Sequence, residues 1–374
     1  MARMTVGEAL TNLVWAKITA LDHVKCSGNW MWAAKLPGEG AALADAAVAL
    51  AQVLEDLGIA IDGGKDSLSM AALAPGREGG DETVKAPGAL VVSAYVTSPD
   101  ITKTVTPDLT LPDRGRMLYV DLGGGRHRLG GSALAQTCKQ PGDVPPDVDD
   151  AARLKALFDV FQVLNSEGKI VAWHDRSDGG LFACLSEMAF AGHCGLNIEL
   201  DSMLADSDAD AVSVLFNEEI GGVLQIRCDD LEAVEAAFDS AGLLDCLHEL
   251  GKIHDEDQLT ISNKGIPVFS ASLVSLQQAW SETSYHMQKL RDNPECAQQE
   301  FDAITEDDKG LNIKLNFDIN DDVAAPFIQT GVLPNIAVLR EQGVNGQIEM
   351  AAAFDRAGFN AIDVHMSDII NGDV

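Results

Sequence analysis

Apolar positions near the start of the chain recur at the spacing of a helix. Leu10, Leu13, Val14 and Ile18 fall on one face of a predicted N-terminal helix. A second helix is predicted over residues 41–58, where an alanine- and leucine-rich stretch ends on the glycine typical of a helix C-terminus. The chain is therefore expected to open in helical structure from its first turn.

Further along, short stretches rich in β-branched residues alternate with longer amphipathic stretches. Strands are predicted over residues 88–98, 116–122, 169–175 and 214–228. Helices are predicted over residues 132–139, 151–168, 180–192 and 230–244. This alternation of strands and helices predicts an α/β (α+β) fold.

The C-terminal part of the chain changes character. Residues 266–332 are largely polar and helical in pattern, so they are predicted to form a connecting arm. Residues 333–374 have the pattern of a strand, a loop, a helix and a strand, which is the opening of a parallel α/β domain. Because that unit is short, and because the chain begins directly in a helix, we expect both ends to be cut from a longer protein.

The charge balance narrows the choice of partners. The chain has 26 Lys and Arg residues against 58 Asp and Glu residues, so its formal net charge is −32. A surface this acidic repels phosphate backbones and anionic lipids, so neither a nucleic acid nor a membrane is an expected partner. An anionic substrate would need local help from a metal ion, a helix N-terminus or a few basic side chains.

Cysteine usage indicates the compartment. The seven cysteines are scattered without the paired spacing of a zinc site, and their number is odd. This is typical of reduced thiols in a cytosolic protein. The sequence shows no signal-peptide pattern and no apolar run of membrane-spanning length. We therefore expect a cytoplasmic protein.

The most informative polar segment is HDRSDGGL at residues 174–181. It joins a predicted strand to a predicted helix, and ligands of α/β proteins gather at the carboxyl ends of strands. Asp175 could hold a metal ion that bridges phosphate oxygens, and Ser177 could bond a phosphate beside the free N–H groups of the helix. In a purely structural alternative, which is compatible with the same pattern, Ser177 and Asp178 only cap the helix.

Glu8 and Asn12 lie four residues apart in the first predicted helix, so their side chains share one face. A carboxylate and an amide oxygen are both hard ligands that suit Mg²⁺. The alternative is an ordinary solvated helix face. The spacing by itself leaves both interpretations open.

Two glycine-containing loops carry weaker signals. Lys65 and Asp66 follow two glycines, but P-loop spacing is absent and Asp66 stands where that motif needs a hydroxyl. Arg126 and Arg128 lie in a glycine-rich strand-to-helix turn, where paired arginines in so acidic a chain favour an anion. A flexible turn without a ligand is the alternative, and the roles of these four residues stay open.

Seven segments of the chain, taken together and in order, resemble a known enzyme family. They are VGEALTN, GGKDSLSM, HDRSDGGL, EMAFAGHCG, FNEEIGGV, RDNPECAQQEFDAI and VLREQGVNGQIEMAAAF. In this order they resemble the phosphoribosylformylglycinamidine synthase family in its large, single-chain form. The resemblance covers essentially the whole chain.

The resemblance implies a fold with two halves of an aminoimidazole ribonucleotide synthetase-like unit. The N-terminal half would span residues 1–108 and the C-terminal half residues 113–265. A helical arm at 266–332 and the start of a class I glutaminase domain at 333–374 would follow. This order resembles the second of two tandem synthetase-like copies, which holds an auxiliary nucleotide.

The resemblance also implies an activity. Members convert formylglycinamide ribonucleotide, glutamine and ATP to formylglycinamidine ribonucleotide, glutamate, ADP and phosphate. The first synthetase-like copy and the glutaminase Cys, His and Glu have no counterpart in this sequence, so we assign no catalytic residue and expect an inactive scaffold fragment. Two alternatives stay open, a non-enzymatic ADP–Mg²⁺-binding module and another ATP-dependent enzyme of the synthetase superfamily.

Four residues acquire roles through the resemblance. Glu8, Asn12 and Asp175 match the family's Mg²⁺ ligands at the auxiliary ATP or ADP, and Ser177 matches a nucleotide contact. A further Asp ligand of the family would lie before the start of this sequence. His174 is interpreted as a packed strand-end residue without a catalytic role.

Overall fold

The computed structural model describes residues 1–76, 79–111, 115–142, 144–204, 210–306, 311, 313–323 and 325–374. They form two compact units, Met1–Glu306 and Asp307–Val374. Residue 113, the predicted start of the second half, lies outside the described residues, as do parts of the predicted arm. None of the described helices is long and apolar enough to cross a membrane.

The larger unit alternates helices and strands, as the pattern of apolar positions predicts. Its strands are β1 (Lys25–Met31), β2 (Ala60–Ser67), β3 (Ala71–Pro75), β4 (Asp81–Lys85), β5 (Ala89–Tyr95), β6 (Gly115–Asp121), β7 (Ile170–Asp175), β8 (Gly195–Glu199), β9 (Gly221–Arg227), β10 (Leu247–His254), β11 (Leu259–Asn263) and β12 (Ile266–Ala271). Its α-helices are α1 (Ala2–Leu13), α2 (Glu39–Leu57), α3 (Ala133–Thr137), α4 (Ala151–Ser166), α5 (Gly180–Gly192), α6 (Asp201–Leu204), α7 (Ala211–Phe216), α8 (Leu231–Ser240), α9 (Leu273–Arg291) and α10 (Pro294–Ala303).

Two sheets organise this unit, beside a separate β3–β4 hairpin. The smaller sheet has the order β2-β1-β5, with β1 parallel to β2 and antiparallel to β5. The larger has the order β12-β11-β8-β10-β6-β9-β7. In it, β9 runs antiparallel to both β6 and β7. The carboxyl ends of β6 and β7, Asp121 and Asp175, therefore lie at the same edge, opposite Gly221 and Gly222.

One hydrophobic core joins the two predicted halves of this unit. Val6 and Leu10 of α1 belong to the same buried cluster as Phe161 of α4 and Leu224 of β9. Burying side chains of this size contributes about 1.5–3 kcal/mol each. The position of α1 is therefore set by contacts to elements that lie more than a hundred residues away, not by its own half alone.

The indole of Trp173 in β7 fixes the end of α1. Its ring is buried and packs edge-on against Phe161, with ring centroids 4.9 Å apart. Its Nε1–H donates to the carbonyl oxygen of Thr11 at 3.0 Å. The last carbonyls of a helix have no partner inside the helix, so this bond satisfies an acceptor that would otherwise be buried unpaired.

Gln162 of α4 completes the same junction. Its Nε2 donates to the carbonyl oxygens of Val14 at 2.7 Å and Ala16 at 2.8 Å, and its Oε1 accepts from the N–H of Ile18 at 3.1 Å. The helix predicted through Ile18 therefore ends at Leu13, and Ile18 is buried in the following loop. The side chain of Gln162 replaces the hydrogen bonds that a longer helix would have made.

Other predicted elements differ in extent. The strand predicted over residues 214–228 begins only at Gly221, because residues Ala211–Phe216 form α7. The side chain of Asp210 caps this helix by accepting from the N–H of Ser213 at 2.7 Å, and this local bond outweighs the strand propensity of the apolar residues that follow. The larger sheet also continues through β12, beyond residue 265 where the second half was predicted to end.

The smaller unit has the predicted order of strand, loop, helix and strand. Its elements are α11 (Ala325–Thr330), β13 (Asn335–Arg340), α12 (Gln347–Arg356), β14 (Asn360–His365) and α13 (Met366–Asn371). The two strands pair in parallel, with Asn335 opposite Asn360. A helix between two parallel strands is the βαβ unit with which α/β domains are built.

Trp173→Phe would keep an aromatic ring under α1 but remove the N–H donor. We expect the free energy of unfolding to fall by about 1–3 kcal/mol, because the Thr11 carbonyl is left buried without a partner. Urea unfolding measures the change, and Trp15→Phe at a more exposed indole is the matched control. Equal stability of the two variants would show that this carbonyl does not need the indole.

Candidate functional site

The turn between β7 and α5 carries two of the predicted site residues. Gly179 and Gly180 adopt left-handed backbone conformations, with φ of 83° and 66°. A Cβ on Gly180 would lie 2.6 Å from the carbonyl oxygen of Asn217, so the close approach of these two backbones requires glycine. The N–H of Arg176 donates to the carbonyl of Gly221 at 2.9 Å. The turn is therefore held against the segment that leads into β9.

Asn12 of α1 contacts the carboxyl end of β7, and Glu8 lies one helical turn earlier on the same face of α1. Nδ2 of Asn12 donates to Oδ1 of Asp175 at 3.4 Å. Asp175 is buried, whereas Glu8 and Asn12 lie on the exposed face of α1. Both helix residues are thus solvated, as one interpretation held. Asn12 also contacts Asp175, as the metal-site interpretation requires.

Glu8 borders two cavities. One has a volume of about 320 Å³ and is also lined by Ser177, Asp178 and Glu218. The other has a volume of about 560 Å³ and is lined by Asn12 and by apolar residues of β5. Cavities of this size accommodate small-molecule ligands. We refer to the first as the Ser177 cavity.

Three carboxylates in or near the Ser177 cavity, those of Glu8, Glu218 and Asp175, have raised pKa values. Partial desolvation raises the pKa of Glu8, and the charges of Asp175, Asp178 and Glu218 raise it further. Burial is also the largest cause that raises the pKa of Asp175 and the pKa of Glu218. The charged forms of these carboxylates are disfavoured by partial burial and by neighbouring negative charges. A bound cation would stabilise the charged forms against both effects.

Glu218 is a site residue that sequence reasoning did not assign. Its Oε1 accepts from the N–H groups of Gly179 at 2.9 Å and Ala133 at 2.8 Å. Gly179 is the N-cap of α5, and neither Ser177 nor Asp178 caps this helix, so the structural alternative for those two residues is wrong. The FNEE segment contains Glu218, but a linear motif does not show which N–H groups a carboxylate will meet.

Arg176, between the two predicted site residues, points into the protein. Its Nη2 donates to Oδ1 of Asp121 at 2.7 Å and its Nε donates to the carbonyl of Glu219 at 2.5 Å. The guanidinium lies over the ring of Tyr119, 5.1 Å from the centroid. Arg176 thereby ties the turn to β6 and to the residues before β9, a role that sequence reasoning missed.

The arginines of the glycine-rich turn pair within the protein. Arg128 donates through Nε and Nη2 to the two carboxylate oxygens of Glu219, at 2.6 and 2.7 Å. Arg126 and Arg128 both form ion pairs with Asp149. The anion suggested by the sequence is therefore the protein's own carboxylate, and the turn is pinned by these pairs.

Lys65 and Asp66 lie in β2, not in a loop after it. The ammonium of Lys65 donates to the hydroxyl of Ser67 at 2.8 Å. Lys65 and Ser67 line a separate cavity of about 240 Å³ with residues of β1, and neither lines the cavities that Glu8 borders. The resemblance of this segment to a phosphate loop is thus superficial.

His174 is held at the end of β7 by two acceptors. Its Nδ1 lies 2.7 Å from the carbonyl oxygen of Asp175, and its Nε2 lies 2.9 Å from a carboxylate oxygen of Glu187. Burial lowers the pKa of His174, but its interactions with Cys184 and Glu187 outweigh burial and the net shift is upward. Because both ring nitrogens face acceptors, the ring is fixed in place, which agrees with a packed strand-end residue.

Arg128→Met should lower the free energy of unfolding by about 3–5 kcal/mol, because it leaves Glu219 buried without its partner. Arg126→Met is the matched control, and it should change stability by about 1 kcal/mol or less because that side chain is solvent-exposed. Urea unfolding of both variants makes the comparison. A similar loss of unfolding free energy in the two variants would show that the paired hydrogen bonds from Arg128 to Glu219 do not stabilise the fold more than an exposed ion pair does.

Without divalent cations, Glu8→Gln should raise the melting temperature at neutral pH, because it removes one of several crowded negative charges. The pKa of Glu8 is raised in the folded state, so its contribution to stability is present at low pH and is lost as the pH rises through that pKa. The advantage of the variant should therefore disappear near about pH 4.

Thermal unfolding in EDTA at acidic and neutral pH measures this difference. Glu235→Gln, on the exposed face of α8, is the control for removing a carboxylate elsewhere. An advantage that is the same at both pH values would mean that the charge of Glu8 is not disfavoured by its surroundings.

Three domain families match the chain in succession. The FGAR-AT PurM_N-like domain matches residues 1–97, and the C-terminal domain of AIR synthase related proteins matches residues 120–263. The CobB/CobQ-like glutamine amidotransferase domain matches residues 333–374. The matched ranges follow the order of the predicted halves and of the C-terminal α/β unit.

Solved structures agree with this fold. Thermotoga maritima PurL complexed with FGAR superposes with a TM-score of 0.53 and 14% identity, over 74% of this chain and 42% of that one. The same protein complexed with ATP gives a TM-score of 0.50 and 15% identity, over 73% and 40%. The chain thus spans about two fifths of the length of these PurL chains. The three matched domains stand in the order of a PurL-type formylglycinamidine synthase, and the solved PurL structures share the fold.

Proposed function

We propose that this site holds ATP or ADP through Mg²⁺ and that the chain is the nucleotide-holding scaffold of a purine-biosynthesis ligase. The ligase would convert formylglycinamide ribonucleotide, glutamine and ATP to formylglycinamidine ribonucleotide, glutamate, ADP and phosphate. The observation that carries the proposal is the contact of Asn12 with Asp175, together with the place of Glu8 on the same helix face, where it lines the Ser177 cavity and is affected by the charge of Asp175.

The side chains at this point suit Mg²⁺. Glu8 and Asp175 offer carboxylate oxygens as ligands. The amide nitrogen of Asn12 bonds to Asp175, so its amide oxygen stays free to be a further metal ligand. Among the described residues, no group of three or more His, Cys, Asp or Glu is placed to hold a metal. An ion held here would therefore need phosphate oxygens to complete its shell, as Mg²⁺ in nucleotide sites commonly does.

Each residue has its own part in this arrangement. Glu8 and Asn12 would hold the ion from α1, and Asp175 would hold it from β7. When bound, Mg²⁺ neutralises phosphate charge. Ser177 lines the cavity, and its hydroxyl group would donate a hydrogen bond to a phosphate oxygen.

The catalytic steps are assigned to other parts of a longer protein. The PurL relatives bind ATP and FGAR, as their structures are described, but this chain spans about two fifths of them. The partners of this unit would be a first synthetase-like half and the remainder of the glutaminase domain. The chain alone would hold nucleotide and position those parts without turning over substrate.

A non-enzymatic ADP–Mg²⁺-binding module is the second candidate function. The match of residues 333–374 to a glutamine amidotransferase domain favours the ligase over this module and over a stand-alone enzyme of the same superfamily, because neither needs an ammonia source. A cytosolic location fits the ligase, and the seven unpaired cysteines support it.

Isothermal titration of the 374-residue chain with ADP in excess Mg²⁺ tests the site. Asp175→Asn should weaken ADP binding at least about tenfold, since even indirect partners of a metal ligand contribute that much. Asp239→Asn, exposed on α8, is the matched control and should bind as the parent does. Unchanged affinity in Asp175→Asn would remove Asp175 from the metal site.

An ammonia-dependent synthase assay separates scaffold from enzyme. The chain alone should give no formylglycinamidine ribonucleotide from formylglycinamide ribonucleotide, ATP and ammonium salt, although it binds ADP. Turnover above the level of a heat-inactivated sample would overturn the scaffold assignment.

A further inference from the structure

The helix N-terminus beside the Ser177 cavity is already occupied by a negative charge of the protein. One oxygen of Glu218 accepts from the N–H of Gly179, at the start of α5, and from the N–H of Ala133, at the start of α3. Free N–H groups at a helix start are the usual seat of a phosphate. Here the carboxylate of Glu218 accepts hydrogen bonds where a phosphate would bind, and its charge offsets the partial positive charge of the helix end.

The charges that face the Ser177 cavity are predominantly negative. Glu8, Asp178 and Glu218 line it, and the charge of Asp175, at the end of β7, also acts on Glu8. Crowded carboxylates of this kind repel the phosphates of a nucleotide that arrives without a cation.

The one cationic side chain among the described residues that line the cavity is Arg176. Its side chain is 0% exposed and is paired with Asp121, so its charge is compensated inside the protein. The guanidinium also donates to the backbone carbonyls of Glu219 and Ile220. The charge of Arg176 is thus compensated by Asp121, although its buried Nη1 has no hydrogen-bond partner among the described residues.

We propose that Glu218 makes this site selective for metal-complexed nucleotide and excludes the metal-free form. This inference rests on the proposed function and adds a specificity determinant to it. A free diphosphate would face the Glu218 carboxylate where a helix start normally attracts it, whereas a Mg²⁺-complexed diphosphate brings the opposite charge. Selectivity here comes from a repulsive group as well as from attractive ones.

A capping role for Glu218 would have a different consequence. Glu218→Gln keeps a side-chain oxygen that accepts from Gly179 and Ala133 but removes the charge. If Glu218 only caps the helices, this variant should bind metal-free and metal-complexed ADP in the same ratio as the parent. If Glu218 sets selectivity, the affinity for metal-complexed ADP divided by the affinity for metal-free ADP must be lower in Glu218→Gln than in the parent.

The experiment titrates the full chain with ADP, once in excess Mg²⁺ and once in EDTA. For the parent, removal of Mg²⁺ should weaken ADP binding by about a hundredfold or more, because several like charges act together. For Glu218→Gln, the affinity for metal-free ADP should rise by about tenfold, which shrinks the ratio. Glu235→Gln, exposed on α8, removes a carboxylate far along the chain and should keep the parental ratio.

Asp178→Asn supplies a second test that does not touch the helix caps. Asp178 is exposed and lines the same cavity, so its neutralisation should lower the ratio in the same direction. If Glu218→Gln is shown by circular dichroism to be unfolded, Asp178→Asn and the parent decide the question. An unchanged ratio in every folded cavity variant overturns the proposal.

The outcomes distinguish this inference from the proposed function. A parent chain that binds ADP equally well in Mg²⁺ and EDTA keeps a nucleotide site but overturns the selectivity. A parent chain that binds ADP under neither condition overturns the nucleotide site itself, and the selectivity with it.

Discussion

The junction between the end of α1 and β7 is the contact on which the site depends. The Trp173 indole is buried under α1 and donates to the carbonyl of Thr11, which no helical partner can satisfy. A shift of α1 would leave a donor and an acceptor unpaired in the core, so this contact specifies position as well as adding stability. Because α1 is held there, Asn12 reaches Asp175, a residue 163 positions away.

The excess of negative charge is the second constraint on the site, because it limits how an anionic ligand can be held there. In a chain with a formal charge of −32, the partly buried Arg128 pairs with Glu219 and the buried Arg176 pairs with Asp121. Little positive charge remains beside the cavity, so a metal ion is the natural way to hold an anionic ligand there. Crowded carboxylates disfavour their own charged forms, and proteins tolerate such an arrangement where a ligand relieves it.

Features that depend on near neighbours could be predicted from the sequence. The helix ending before Gly58, the strand that ends at Asp175 and the turn through Gly179 and Gly180 all follow from apolar spacing and glycine chemistry. The strand predicted to begin at residue 214 was wrong, because a cap from Asp210 starts a short helix in apolar residues that equally favour a strand.

The sequence by itself determined the acidic balance, most element positions and the residue types in the HDRSDGGL turn, because each depends on composition or on spacing within one element. Only the tertiary structure decided that Asp175 would lie beside Asn12, that Arg128 would turn to Glu219, and that Glu218 would cap α5. These partners are 163, 91 and 39 positions apart. No local rule selects such pairs, since they are brought together by burying one hydrophobic core that both halves of the unit share.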